Sequence, residues 1–260
     1  MTPDTIFIVP YRDRVKHRIF FRNHMKNILE DLDVGSYRIY FVHQKDDQPF
    51  NRGALKNIGF LAMKKEYPEE YQKITFVFND VDIMPFEKNT ISYKTTIGTI
   101  KHFYGFNFAL GGIVSITGSD FEKLNGFPNF WAWGWEDNEL QRRAETNKII
   151  IDRSIFFPIL SQDFIHFHHG SFREINPLEK RRYIQTTEEG ITDVILDKFT
   201  IEGDMIEVDK FSTSTIPSPN LNEMVPLGGS FSTPSPMKNN WMKMNLYNRN
   251  PSIHLKVNPK

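Results

Sequence analysis

The stretch IFIVPYRDR, Ile6 to Arg14, contains the turn from one kind of structure to another. Its first five residues, IFIVP, are apolar without in–out alternation, as expected of a strand buried on both faces. From Arg14 to Leu32 the period changes, and Ile19, Phe20, Met25, Ile28, Leu29 and Leu32 fall at helical intervals. The same pair of signals then repeats. YRIYFV (Tyr37 to Val42) reads as a second strand and Gly53 to Lys65 as a second helix. ITFVFND (Ile74 to Asp80) is a third strand, GGIVSI (Gly111 to Ile116) a further strand, and Glu136 to Asn147 a further helix. Strands alternating with helices predict an α/β domain built on a mixed, mostly parallel central sheet flanked by helices. Two short apolar runs between Val194 and Phe211 predict a closing hairpin.

The texture changes after that hairpin. Residues 212–260 are rich in Ser, Thr, Asn and Pro and hold seven of the fifteen prolines. Such a stretch has little to bury, so it reads as a C-terminal extension to a 1–211 catalytic domain, draped over it or partly disordered. Within it, Trp241, Met242, Met244, Leu246 and Tyr247 are candidates to dock. A chain of 260 residues accommodates one domain of about 200 residues plus such an appendage.

Composition excludes several classes. The 32 basic and 32 acidic side chains cancel, and no long run of one sign occurs, which disfavours a nucleic-acid partner. No cysteine is present, so neither a disulfide nor a thiolate contributes, in keeping with a reducing compartment. No window approaches ~20 apolar residues and the N-terminus lacks a basic region followed by a long apolar stretch. The expectation is a soluble, cytoplasmic chain with no signal peptide, membrane anchor or span.

Candidate chemistry lies at the predicted strand ends. Arg12 and Arg14, two apart after the first strand, would point the same way in extended backbone, where an α/β sheet binds anions. The plainer reading is two solvated arginines at a helix start. Phe50 and Arg52 can stack on a base and reach a phosphate, or simply cap a helix. Asp80 and Asp82 lie at the end of the apolar strand ITFVF and share one face, with Val81 turned away, the plainer reading being a turn that happens to be acidic. Two carboxylates so placed repel unless a cation lies between them. His166 and His168, with Phe167 between them, have the spacing of a strand-borne ligand pair, while His169 would point elsewhere. Imidazole, carboxylate and phosphate oxygens together suit manganese. Finally, GFPNFWAWGWEDNE (Gly126 to Glu139) packs three of the four tryptophans immediately before Glu136 and Asp137. Aromatic planes beside acids suit a sugar pocket, although acids in a first helical turn also offset the helix dipole.

FNRGALKNIGF, FVFNDVDIMP, GGIVSITGSDFEKLNGFPNFWAWGWEDNELQRR and HFHH, in this order, resemble the β-1,4-galactosyltransferase family, glycosyltransferase family 7. The likeness runs from about Thr5 to Phe211, and HxH with FWAWGWEDNE is most similar to the branch that adds galactose to xylose. The resemblance implies a GT-A glycosyltransferase fold, a UDP-galactose donor, Mn2+, a saccharide or glycoconjugate acceptor, and inversion at the anomeric carbon. It assigns Pro10, Arg12, Arg14, Phe50, Arg52, Asp80, Val81 and Gly112 to the nucleotide-sugar, and Asp82, His166 and His168 to the metal. Trp133 matches the tryptophan of a loop that closes over the donor, with Gly134 as its hinge. Glu136 and Asp137 match the acceptor-binding pair, to which the resemblance adds Trp133, and Asp137 matches the catalytic base.

Two departures from the family pattern carry expectations of their own. Ala109 stands where the family usually has a tyrosine beside the donor sugar, which implies room for UDP-GalNAc as well as UDP-galactose. The anchor and cysteines of Golgi relatives are missing, which points to a viral, bacterial or cytoplasmic setting. Rival readings are an inactive lectin-like protein and, with two histidines and a carboxylate, a non-haem iron enzyme.

Overall fold

The computed structural model describes residues 2–167, 170, 172–185 and 187–226. Its first strand, β1 (Thr5–Tyr11), is buried throughout, and successive side chains enter opposite cores. Ile6 and Ile8 pack in one core with Leu55 and Ile58, whereas Phe7, Val9 and Tyr11 pack in the other with Phe21 and Met25. That two-sided burial is why the strand sequence does not alternate.

Helix α1 (Val15–Ile28) follows β1 and lies against the second core through Phe21, Met25 and Ile28. It is shorter than the helical spacing to Leu32 predicts. The Leu29 N–H still bonds the Met25 carbonyl, but Leu32 closes a turn onto Leu29 instead of extending the helix. Strand β2 (Tyr37–Gln44) and helix α2 (Arg52–Glu66) come next, then β3 (Thr75–Asn79) and β4 (Ile83–Pro85). β5 (Thr99–Gly105), β6 (Ile113–Thr117), α3 (Gly118–Lys123) and α4 (Glu136–Thr146) complete the middle of the chain. Short strands β7 (Ile150–Asp152), β8 (Phe157–Pro158), β9 (Phe164–His166) and β10 (Phe172–Ile175) precede α5 (Pro177–Gln185). The expected hairpin is β11 (Ile195–Glu202) with β12 (Met205–Ser212), and β13 (Glu223–Pro226) follows.

The main sheet has the order β11-β12-β2-β1-β3-β6-β5-β7, with β8 also on β5. Pairings of β1 with β2 and β3, of β2 with β12, and of β5 with β7 and β8 are parallel. Antiparallel β6 joins β3 to β5. The sheet is therefore mixed and mostly parallel, as the sequence predicts. Because β1 lies between β2 and β3, the chain reverses its direction of travel across the sheet there. In open α/β sheets the crevice at the carboxyl ends of such strands is where ligands bind. Two small ladders stand apart from the main sheet, β4 with β9 and β10 with β13. No helix among the described residues is long and apolar enough to cross a membrane.

Candidate active site

The strand ends carry the predicted residues, but in a different local geometry. β1 stops at Tyr11 and Asp13 takes φ +54°, so Arg12 and Arg14 do not share the face of an extended strand. Pro10 remains inside β1, opposite Val42. Arg12 Nη1 donates to the Gln48 carbonyl at 2.6 Å and its guanidinium lies 5.5 Å from the Phe50 ring centroid. Arg14 is the exposed N-cap of α1.

The acidic pair is likewise folded into a turn. β3 ends at Asn79, whose side-chain amide donates to the carbonyls of Asp80 and Ile83, both at 2.8 Å. Asp80 and Asp82 consequently do not project from one strand face, and Val81, expected to turn away between them, is buried with the second core. The Asp80 N–H bonds the Gly112 carbonyl at 3.0 Å, which ties Gly112 to this turn. Asp82 sits at the β4–β9 ladder, where its carbonyl accepts from Phe167 N–H at 2.9 Å. The register places His166 opposite Ile83, next along the chain from Asp82. His166 Nδ1 is 3.4 Å from the Tyr104 hydroxyl. Phe167 turns to α1, stacking on His17 at 5.0 Å and meeting Phe20 edge-on at 5.0 Å. His168 and His169 lie outside the described residues, as do Trp241, Met242, Met244, Leu246 and Tyr247.

Among the described residues no group of three His, Cys, Asp or Glu side chains is arranged to hold a metal ion. The residues present nevertheless fit one. Asp82 is a buried carboxylate next to Ile83, which pairs with His166, and the neighbouring Asp80 Oδ1 is buried without a hydrogen-bond partner among the described residues. An orphaned carboxylate oxygen at that position needs a cation or donor to complete it.

The other side of the crevice is built by α2 and α4. Asn51 caps α2 by accepting from Ala54 N–H at 2.9 Å, and its own N–H bonds Gln44 Oε1 at 3.0 Å. That cap aims Arg52 at three carboxylates. Nη1 meets Asp80 Oδ2 at 2.8 Å, Nε meets Glu136 Oε1 at 2.7 Å, and Nη2 binds Asp137 Oδ2. One turn on, Lys56 Nζ reaches Asp137 Oδ1 at 2.9 Å. Glu136 and Asp137 open α4, where the helix dipole favours them. Burial works to raise the Asp137 carboxyl, but Arg52 and Lys56 outweigh it and hold the group below its ordinary range. For Asp80 burial wins over the same two cations, and its carboxyl stands above that range. Behind Asp137, a Cβ at Gly111 would strike its carboxylate, so only glycine allows the approach. The Gly111 carbonyl accepts from His102 Nε2 at 3.0 Å, and the wholly buried ring receives Arg153 Nε on Nδ1 at 2.9 Å. Burial, then Arg153, pushes His102 down to about 4, so it is neutral at neutral pH.

The three clustered tryptophans divide their work. Trp131 is core: it stacks on Phe211 at 5.6 Å and donates Nε1–H to the Thr215 carbonyl at 2.9 Å. Trp133 is 37% exposed, and its backbone N–H bonds the Glu174 carbonyl at 2.8 Å. Gly134 follows at φ +111° with open space around it, and Trp135 enters α4 at φ +69°. Asn57 and Asn129 tie the start of this loop to α2 through bonds of 2.7 Å to the Phe127 carbonyl and 2.9 Å to each other.

Sequence reading missed Lys56, His102 and Tyr104. A lone lysine one turn after Arg52 within the apolar run of α2 was a usable signal for the first. His102 and Tyr104 carry no such mark, and β5, the strand that bears them, is itself absent from the sequence expectation.

Residues 2–95 match the family model for the N-terminal region of glycosyl transferase group 7, and residues 93–170 the model for the N-terminal domain of galactosyltransferase. Mouse β-1,4-galactosyltransferase 4 is 34% identical over 157 residues, covering 56% of this chain and 44% of that protein. The xylosylprotein 4-β-galactosyltransferase of Caenorhabditis elegans is 33% identical over 188 residues, covering 68% and 60%. The chain thus spans only part, 44% to 60%, of the length of these relatives. The catalytic domain of Drosophila β-1,4-galactosyltransferase 7, solved with xylobiose, superposes with a TM-score of 0.63 at 20% identity over 83% of this chain and 96% of that one. A mutant of that enzyme solved with manganese, UDP-Gal and xylobiose gives 0.61 at 19% identity over the same shares. These likenesses show the fold to be GT-A. The two matched models run without a gap through every strand-end segment described above, from Arg12 to His166, and the chain belongs to glycosyltransferase family 7, the β-1,4-galactosyltransferase family.

Proposed function

We propose that the protein is an inverting glycosyltransferase that moves galactose, or N-acetylgalactosamine, from a UDP-sugar to a hydroxyl of a saccharide or glycoconjugate acceptor. The observation that carries the reading is the meeting of Asp137, held in its charged form, with Arg52, which also holds Asp80 at the carboxyl end of β3. The named activities of the worm relative and the UDP-Gal and xylobiose bound to the fly enzyme support the donor and acceptor classes.

Pro10, Arg12, Arg14 and Phe50 line the nucleotide end, where Arg12 beside the Phe50 ring offers a planar surface and paired donors for base and phosphate. Asp80, Val81 and Gly112 form the floor of the donor site. Mn2+ held by Asp82, His166 and His168 would neutralise the diphosphate as it departs. Asp137 accepts the proton of the acceptor hydroxyl. The freed oxygen attacks the anomeric carbon from the face opposite UDP, the bond to the diphosphate oxygen breaks, and its electron pair leaves with UDP, so an α-linked donor gives a β-linked product. Glu136 orients an acceptor hydroxyl, and Trp133 closes over the bound sugar about Gly134.

Ala109 is buried beside the Gly111–Gly112 turn and its small side chain supports the wider donor range. UDP release with manganese, measured for UDP-Gal and UDP-GalNAc against xylosides and N-acetylglucosaminides, tests the whole reading. Turnover of both donors is expected. Strict rejection of UDP-GalNAc removes the wider range, and absence of UDP release with every pair overturns the transferase reading.

A further inference from the structure

Lys56 is a buried cation with an unusual neighbour. Its side chain is 2% exposed, its ammonium lies 4.3 Å from the Phe127 ring centroid, and its ion pair is with Asp137 at 2.9 Å. Taking an ammonium out of water costs several kcal/mol, and an apolar side chain in this helix, between Leu55 and Ile58, would avoid that cost. Asp80 and Glu136 have Arg52 as their direct ion-pair partner, and Lys56 reaches Asp80 only at longer range. Asp137 is the carboxylate that Lys56 touches directly.

The two oxygens of Asp137 are held differently. Oδ1 faces Lys56, which is enclosed by the helix and Phe127; Oδ2 faces Arg52, which is 19% exposed and has two other carboxylates to pair with. Arg52 can therefore yield Oδ2 to an incoming hydroxyl and stay compensated, whereas Lys56 has no comparable freedom. We infer that Lys56 is a positioning residue for the transfer, fixing Oδ1 of Asp137 so that Oδ2 receives the acceptor proton. The inference rests on Asp137 being the base.

It also fixes how the base responds to pH. The charged and titratable groups facing Asp137 are Arg52 and Lys56 from α2, Glu136 beside it on α4, Asp80 after β3, and His102 from β5, which is neutral at neutral pH. Burial opposes the charged carboxylate, and Lys56 is one of the two cations that overcome it. Without Lys56 the carboxyl holds its proton to higher pH.

The test compares pH profiles of kcat/KM for UDP release by wild type, Lys56→Met, Lys56→Arg and Asp137→Asn, with a carboxylate-detected NMR titration of the ligand-free proteins. In Lys56→Met the acid limb should move to higher pH by about one unit, with kcat reduced about tenfold and donor KM unchanged. Lys56→Arg should restore the limb. Should Lys56→Met not fold, Lys56→Gln removes the charge while keeping a donor and is expected to show the same shift. Profiles that superimpose on wild type while Asp137→Asn is inactive overturn the role of Lys56 alone. Wild-type turnover by Asp137→Asn overturns the base assignment, and the inference with it.

Discussion

On the α2–α4 side of the crevice, Arg52, Lys56, Glu136 and Asp137 are paired with one another, Lys56 and Glu136 buried and Arg52 and Asp137 half-buried. On the β4–β9 side, His166 is exposed on a ladder of three residues per strand, and Asp80 presents an oxygen without a donor. The first side is finished before any ligand arrives, so its geometry costs nothing to assemble during reaction. The second side is completed by what it binds. In the proposed mechanism, base orientation thus belongs to the fold, and nucleotide capture to the ligand and its cation.

That contrast can be broken by measurement. The largest effect is expected at Asp137→Asn, where kcat for UDP release should fall by about 10³-fold while the protein stays folded; retention of kcat would mean the preformed side is not the catalytic one. Arg52→Ala should lower unfolding free energy by about 3 kcal/mol, read as a denaturation midpoint, because three carboxylates lose their shared partner. A midpoint near wild type would show that this side is not held by its charges.

A third prediction concerns the anchor of the aromatic loop. Burial pushes the Glu179 carboxyl up to about 6, against the opposing pull of Arg182 and the Trp131 backbone N–H. The folded chain thus holds this proton more tightly than the unfolded one, and stability should fall as pH rises between about 4.5 and 6, by at most about 2 kcal/mol. Glu179→Gln should flatten that segment of the pH–stability curve, and an unchanged slope would refute the assignment. The smallest effect is expected on the open side. Tyr104→Phe removes the hydroxyl that meets His166 and should raise the manganese needed for half-maximal activity about tenfold, with kcat at saturation preserved.

How much of this was readable in the sequence depends on the range of the interaction. β1, β2 and β3, the long helices and the closing hairpin were legible because their periods record burial directly. β8 and β9, two and three residues long, leave no period to read. The bend at Asp80 was hidden because Asn79, a side chain outside the acidic motif, makes it. Which residues gather at the crevice was legible as types at strand ends. The bridging of Asp80, Glu136 and Asp137 by one guanidinium was not, since it joins segments far apart in the chain.

The position of β12 beside β2 has a consequence for synthesis. His43 and Glu207, which bond across this boundary at 2.8 Å, are 164 residues apart. As the chain leaves the ribosome, β2 can pair with β1 early, but its outer edge stays open until the final hairpin has been made. Ile206 and Val208 then seal it. Contacts of such sequence separation slow folding, and an unsealed edge can recruit another chain. Docking of β11 and β12 is thus the step that closes the outer edge of β2.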